Sequence, residues 1–284
     1  MENPLHQINC PECGFSLPSN APKCFNCGAS LYETEENSWK ESLSISKEAT
    51  IALSIGFIGA IVLVFGDFQF SRFILRHFNI LVHEFGHAIF GWLSGFFSVP
   101  AFDFSHGGGV TVHMGDKPNK GILVAVVAIF VWMLYAFKRY KLIFASIVGI
   151  FTFLALSFLF GWGPLVMMYG GHGTVVIMGG LFLFRGLSNV AVHHFAERIL
   201  YFFLAAFVIL DELQFTQMLK KDAGFRSQYL DGKGGIMNDF HKISEHLNIS
   251  LNTAVNFHAF FCFLVPVLAY AIYVIAMKNY SRET

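Results

Sequence analysis

The chain has 284 residues, of which 55% are hydrophobic and only 13% are charged, and its formal net charge is +0. A soluble domain carries roughly 25% charged residues, so this composition leaves too few charges to cover a water-soluble globule. The sequence therefore predicts a protein that places apolar surface in lipid, and the absence of a long basic run argues against nucleic acid as a partner.

Two cysteine knuckles lie near the N-terminus, at residues 10–14 (CPECG) and 24–28 (CFNCG). Each CxxC turn brings two thiolates to one metal ion, and two turns complete the tetrahedral sulfur set that structural zinc prefers. Iron is an alternative ion, whereas a redox CxxC needs a βαβ context that this segment lacks. We predict a structural zinc site with the ligands Cys10, Cys13, Cys24 and Cys27.

The N-terminal segment resembles the zinc-ribbon family across residues 8–32, with both knuckles intact. We assign a zinc ribbon to residues 1–32 and a linker to residues 33–49. So small a segment lacks a core of its own, which means that the bound metal would hold it together. With no open coordination position, the ribbon is expected to be structural or to dock a protein partner.

Seven apolar runs follow the linker, and each is near the roughly 17–25 residues that a membrane-spanning helix needs. Lipid cannot satisfy free backbone groups, so these runs are expected to be helices. We predict an all-α polytopic membrane protein with about seven transmembrane helices, in which residues 50–284 form one membrane domain. The runs are residues 51–66, 73–98, 121–137, 142–160, 163–185, 195–213 and 254–277.

The connections between the runs carry two further predictions. Residues 99–114 alternate and contain a glycine turn, which indicates a short β-hairpin after the second helix. The lysines and arginines of residues 214–253 favour a cytoplasmic location for that loop, and seven spans then place the N-terminus in the cytoplasm as well. The cations at residues 138–141 would face outward, against the same rule. The cysteine ribbon nevertheless favours this orientation, because it needs a reducing compartment.

A His-Glu-x-x-His motif lies inside the second apolar run. On a helix, His83 and His87 occupy one face one turn apart and can share one metal ion. Glu84 can then reach a metal-bound water, whose proton it would take during attack on a carbonyl. Ionisable residues at mid-membrane depth are costly and are usually functional, which favours a metal site over a pair of packing histidines.

Residues 81–88 (LVHEFGHA) resemble the active-site helix of the site-2-protease family of intramembrane metallopeptidases. The resemblance extends over roughly residues 73–115. It implies a membrane helix that carries the two zinc ligands His83 and His87 and the catalytic Glu84, followed by a hairpin-like element. It also implies a membrane-anchored protein as the substrate.

The third ligand is less well defined, because the family's Asn/Pro…Leu-Asp-Gly motif has no full copy in this chain. Asp231 lies in a Leu-Asp-Gly triplet within a polar loop, and Asp211 ends a membrane run; both remain candidates. We favour His172, which lies at the middle of its run, as the motif histidines do in theirs. The glycines around His172 would leave space for a metal ion and a water. His258, on the last run, is interpreted as a packing histidine.

These observations predict a zinc endopeptidase with one catalytic zinc ion in the membrane domain and one structural ion in the ribbon. Its partners would be the lipid bilayer, a membrane-anchored substrate and a protein docked on the ribbon. The incomplete third-ligand motif favours an alternative, a catalytically silent zinc scaffold or sensor. A metal or proton transporter is a further alternative, against which the absence of a visible internal repeat counts.

Overall fold

A computed structural model describes residues 7–10, 12–18, 21, 23–28, 45–103, 108–189, 192–232 and 236–283. The described residues are mostly helical and divide into two compact units. One unit comprises residues 1–47 with 271–284, and the other comprises residues 48–270. Most of the linker predicted over residues 33–49, namely residues 33–44, lies outside the described residues.

The first unit contains a small antiparallel sheet whose two strands flank the first cysteine knuckle. Strand β1 covers Gln7–Asn9 and strand β2 covers Ser16–Pro18. Gly14 and Gly28 follow the knuckles with φ of +71° and +73°, and their amides donate to the carbonyls of Cys10 and Cys24. Only glycine adopts this left-handed conformation without a steric penalty, which explains its place after each CxxC.

The second unit is built from long helices that overlap the predicted apolar runs, although the helix of the second run ends at Leu93 and residues 97–98 of that run lie in a strand. Its helices are α1 (Lys47–Phe65), α2 (Gln69–Leu93), α3 (Lys120–Ala136), α4 (Lys141–Leu159), α5 (Gly163–Ser188), α6 (Phe195–Lys221) and α9 (Leu251–Glu283), the last of which ends in the first unit. Within the described residues, α1, α5, α6 and α9 are long and apolar enough to cross a membrane. Four of the seven predicted runs thus have the length and composition of a membrane span.

The remaining three runs also form helices, for which a membrane span stays a prediction. Helix α2 has 25 residues and interrupts its apolar sequence with histidine, arginine and glutamate side chains. Helices α3 and α4 contain shorter apolar stretches, Lys120–Ala136 and Ile143–Leu159.

Helix α5 packs against both α2 and α6, and these three helices contribute residues to the site described below. The contact between α2 and α5 is close because Gly86 and Gly170 face each other: a Cβ atom on Gly86 would overlap the carbonyl oxygen of Gly170. A cluster of buried apolar side chains joins α1, α5 and α6, and it consists of Ala60, Val64, Val175, Phe207 and Val208.

The predicted β-hairpin is present after α2. Strands β3 (Phe97–Asp103) and β4 (Gly108–Met114) pair antiparallel with Val99 opposite Val112, and both strands contact α2. Residues 104–107 of the predicted glycine turn lie outside the described residues.

Two short helices, α7 (Ala223–Asp231) and α8 (Asp239–Leu247), connect α6 to α9. The Phe240 amide donates to the Tyr229 hydroxyl at 3.0 Å and so joins α8 to α7. The amphipathic pattern of α8 buries Phe240 and Ile243, whereas Leu247 at its end is exposed.

Candidate metal centre

Helix α2 presents its two motif histidines side by side, as the spacing predicts. The Nε2 atoms of His83 and His87 lie 3.0 Å apart. Gly171 on α5 permits this arrangement, because a Cβ atom there would lie 2.5 Å from Nε2 of His87 and 2.6 Å from Nε2 of His83. The backbone of α5 therefore closes one side of the pair.

A carboxylate from a different helix completes the group. Asp239, the first residue of α8, places Oδ2 2.9 Å from Nε2 of His83 and 3.0 Å from Nε2 of His87. Burial disfavours the charged carboxylate, but hydrogen bonds from the two imidazoles hold the pKa of Asp239 well below its usual value. The carboxylate is thus available in the charged form that metal ions bind.

The protonation pattern of His87 makes this group suited to a cation. Nδ1 of His87 lies 2.7 Å from the carbonyl oxygen of Met167, which can only accept, so Nδ1 carries the proton. Nε2 of His87 lies 3.0 Å from the Asp239 carboxylate, and it can donate to that carboxylate only when the ring is doubly protonated. A divalent cation between the two atoms would take the place of that proton and bind the neutral ring through Nε2. Donors at about 2.0–2.2 Å from a tetrahedral zinc ion lie about 3.3–3.6 Å apart. Binding would therefore widen the present spacing of 2.9–3.0 Å by a few tenths of an ångström.

His172 lies next to the same group. Its ring centroid is 4.5 Å from that of His83, and its ligand atom lies within 4.8 Å of those of His83 and Asp239. The two carboxylates considered as alternatives are not part of this group, although Asp211 lines the cavity described below. Asp211 accepts hydrogen bonds from Asn79 and Arg76, and Asp231 is exposed at the end of α7.

Glu84 is buried beside the histidines and is held by the hairpin. The Thr111 hydroxyl on β4 lies 2.6 Å from Oε2 of Glu84 and 2.9 Å from its backbone carbonyl oxygen. Gly109 packs directly on the Glu84 side chain, leaving no room for a Cβ atom. The hairpin therefore fixes the carboxylate that the motif predicts as a base.

These side chains line one cavity of about 1110 Å³. Its wall is formed by the motif face of α2, strand β4, the centre of α5 and the segment around Asp239. A cavity of this size can admit an extended peptide segment or a small molecule beside the candidate metal ligands.

The ribbon cysteines form a second, separate ligand set. Sγ of Cys10 lies 3.7 Å from that of Cys27, Sγ of Cys13 lies 3.6 Å from that of Cys24, and none of the four is in a disulfide. Thiolates bound to tetrahedral zinc are about 3.8 Å apart. Hydrogen bonds from the Phe15 backbone and the Asn26 side chain lower the pKa of Cys13 to about 6, which favours the thiolate. The predicted group of four cysteines that could hold a metal ion is present.

Sequence reasoning missed Asp239 and the partners of His172. Asp239 stands at the N-terminus of a short helix, where an acidic residue is common for its effect on the helix dipole alone. No local pattern distinguishes it from Asp231 in the same loop.

Comparisons with known proteins do not assign the chain to a family: no protein-family model, curated protein or solved structure matches it.

Proposed function

We propose that the protein is an intramembrane zinc metallopeptidase of the site-2-protease type, which hydrolyses peptide bonds of membrane-anchored proteins. One observation carries the proposal: Nε2 of His83, Nε2 of His87 and Oδ2 of Asp239 lie within 3.0 Å of one another, beside the buried side chain of Glu84. Two imidazoles and a carboxylate with a neighbouring glutamate are the donor set and base that zinc peptidases use.

Zinc, when bound, would supply an acidified water with a pKa of about 7 and would polarise the substrate carbonyl. His83, His87 and Asp239 would hold the ion, with His172 as a further donor beside them. Glu84 would take the proton of the attacking water and return it to the leaving amine. Thr111 would keep the Glu84 carboxylate turned toward that water.

Lipid would surround the membrane domain, with all seven long helices crossing it. Helix α2 is about 37 Å long at 1.5 Å per residue, which exceeds the roughly 30 Å hydrocarbon core. Its polar face would point into the cavity rather than toward lipid. In this arrangement the ribbon lies in the cytoplasm, where it can dock a protein partner. The β3–β4 hairpin would pair with an extended substrate segment.

A second candidate is a catalytically silent zinc scaffold or sensor. The observation that favours it is the number of donors, because His83, His87, His172 and Asp239 together would fill a four-coordinate ion, so that a water could bind only if the ion became five-coordinate. The two candidates differ in what Glu84 does: the peptidase requires its carboxylate for turnover, whereas the scaffold does not.

The test uses the full chain in liposomes together with a detergent extract of membrane proteins. New N-termini produced during incubation are identified by mass spectrometry, and the zinc content of each protein is measured in parallel. The wild type should create new termini that are absent with Glu84→Gln, and both proteins should contain the same amount of zinc. Equal zinc with no cleavage by the wild type would support the scaffold and reject the peptidase.

The His83→Ala/His87→Ala double variant serves as the control for metal dependence. It should lose both the cleavage products and the zinc of the membrane domain. Cleavage that persists in this variant would show that a contaminating protease produced the termini.

A further inference from the structure

A buried polar network lies behind His172, where helices α5, α6 and α9 meet. Nδ1 of His172 lies 2.9 Å from Oε2 of Glu212, and Nε2 of His258 lies 2.8 Å from the same oxygen. The Tyr169 hydroxyl is 3.1 Å from Nδ1 of His258. Glu212 and His172 are each 7% exposed and His258 is fully buried, so these groups depend on one another for hydrogen bonds.

The hydrogen-bond chemistry determines which nitrogen of each ring carries the proton. An ionised carboxylate only accepts, so both rings must donate to Glu212: His172 from Nδ1 and His258 from Nε2. Nδ1 of His258 is then unprotonated and accepts from the Tyr169 hydroxyl. The hydrogen bonds that link Tyr169, His258, Glu212 and His172 can thus all form with neutral imidazoles. Nε2 of His172 then carries a lone pair.

Aromatic stacking fixes the plane of the same imidazole. The Phe240 ring is stacked on His172 with a centroid distance of 4.4 Å and an interplanar angle of 14°, and Phe215 also stacks at 5.4 Å. Phe240 follows Asp239 in sequence, so helix α8 brings a metal-ligand candidate and the stacking ring to the site together. The orientation of His172 is thus set by stacking and its tautomer by Glu212.

A separate metal site is also conceivable in this network, because the ligand atoms of Glu212, His172 and His258 lie within 4.8 Å of one another. The hydrogen bonding argues against that assignment, because both rings donate to Glu212 and no donor of the network is left without a partner. Histidines that bind metals commonly donate their other N–H to a carboxylate, which fixes the tautomer and raises the basicity of the ligand nitrogen. Glu212 meets that description.

We infer that Glu212 is a positioning residue that makes Nε2 of His172 a ligand of a divalent transition-metal ion, with His258 and Tyr169 holding Glu212 in turn. The inference rests on the proposed metal centre at His83, His87 and Asp239 and names the groups that complete it. It also gives the mid-membrane His258 a role beyond helix packing. The charges agree: Asp239 and Glu212 together balance a divalent cation in a low-dielectric site.

The test measures binding of Zn²⁺ and Co²⁺ to the full chain in detergent. All variants carry Ser at the four ribbon cysteines, so that only the membrane domain contributes. Zinc affinity is measured by competition with a chelator, and the visible absorption of Co²⁺ reports on the ligand field. Glu212→Gln should weaken zinc binding about 10- to 100-fold and shift the Co²⁺ spectrum. Tyr169→Phe, at the far end of the network, should cause a smaller loss in the same direction.

The neighbouring residue provides a matched control. Asp211 is a carboxylate on the same helix, and it contacts Asn79 and Arg76 rather than the network. Asp211→Asn should bind zinc and Co²⁺ as the parent does. Because it tests the loss of one buried negative charge on α6, it separates a specific effect of Glu212 from a general electrostatic one.

Three results would overturn the inference, and they differ from one another. If Glu212→Gln matches the parent in affinity and spectrum, Glu212 does not position a ligand. If the parent binds two ions and Glu212→Gln loses one of them, the network is itself a metal site. If the parent binds no metal, the proposed centre is wrong and the inference fails with it.

Discussion

At the residue scale, Thr111 should matter to turnover more than to metal binding. Its hydroxyl lies 2.6 Å from Oε2 of Glu84, and hydrogen bonds to charged groups contribute about 1.5–3 kcal/mol. Replacement by the near-isosteric valine should therefore lower the cleavage rate about 10- to 100-fold without changing the zinc content, as measured on a substrate identified with the wild type. Thr111→Ser should recover most of the rate. An unchanged rate for Thr111→Val would mean that Glu84 needs no support from the hairpin.

Asp239 provides a second prediction at this scale. Its carboxylate is the donor nearest to both motif histidines, so Asp239→Ala should remove most of the zinc from the membrane domain. Asp231→Ala is the matched control, because this exposed residue lies in the same connection. Zinc analysis of the two purified variants distinguishes them. If Asp239→Ala kept its full zinc content, Asp239 would not be a ligand, and His172 would be the third ligand instead.

The site residues differ in how far the sequence can identify them. His83, Glu84 and His87 lie within one helical turn, so their spacing alone predicts a common face. The position of His172 near the middle of an apolar run indicates it as a third ligand, and it lies beside His83 in the structure. The sequence does not indicate Asp239, because its position depends on how α8 folds back onto α2 and α5. Such a long-range contact leaves no local pattern in the chain.

At the scale of elements, the approach of α5 to α2 controls the geometry of the histidines. Gly171 is the point of contact, and a methyl group there would displace both imidazoles. Gly171→Ala should therefore sharply reduce zinc binding while the protein remains folded. Gly163→Ala is the control on the same helix, since a Cβ atom there meets no other group within 4 Å. The measurements are zinc content and the thermal unfolding midpoint, and equal zinc in both variants would contradict the close approach.

The elements themselves follow from sequence patterns to different degrees. Apolar runs locate every long helix, and alternation locates the β3–β4 pair. Whether a helix crosses the membrane is harder to predict, as α2 illustrates. The polar side chains proposed to form the metal centre on α2 also lower its mean hydropathy. The residues of the candidate site therefore weaken the sequence signal for a membrane span.

At the scale of the whole molecule, each compact unit carries its own group of residues that could hold a metal ion. The ribbon site draws on four cysteines within residues 10–27, and the membrane centre draws on residues 83–239. No ligand is common to the two sets among the described residues. Loss of one ion should therefore leave the other in place.

Metal analysis of the purified full chain tests this independence, and the wild type is expected to hold two zinc ions. Changing Cys10, Cys13, Cys24 and Cys27 to Ser should remove one ion and unfold only the ribbon, because so small a segment depends on its metal. Changing His83 and His87 to Ala should remove the other ion and abolish cleavage. If either variant loses both ions, the two sites depend on each other, and the ribbon would then be part of the membrane centre's folding rather than a separate docking module.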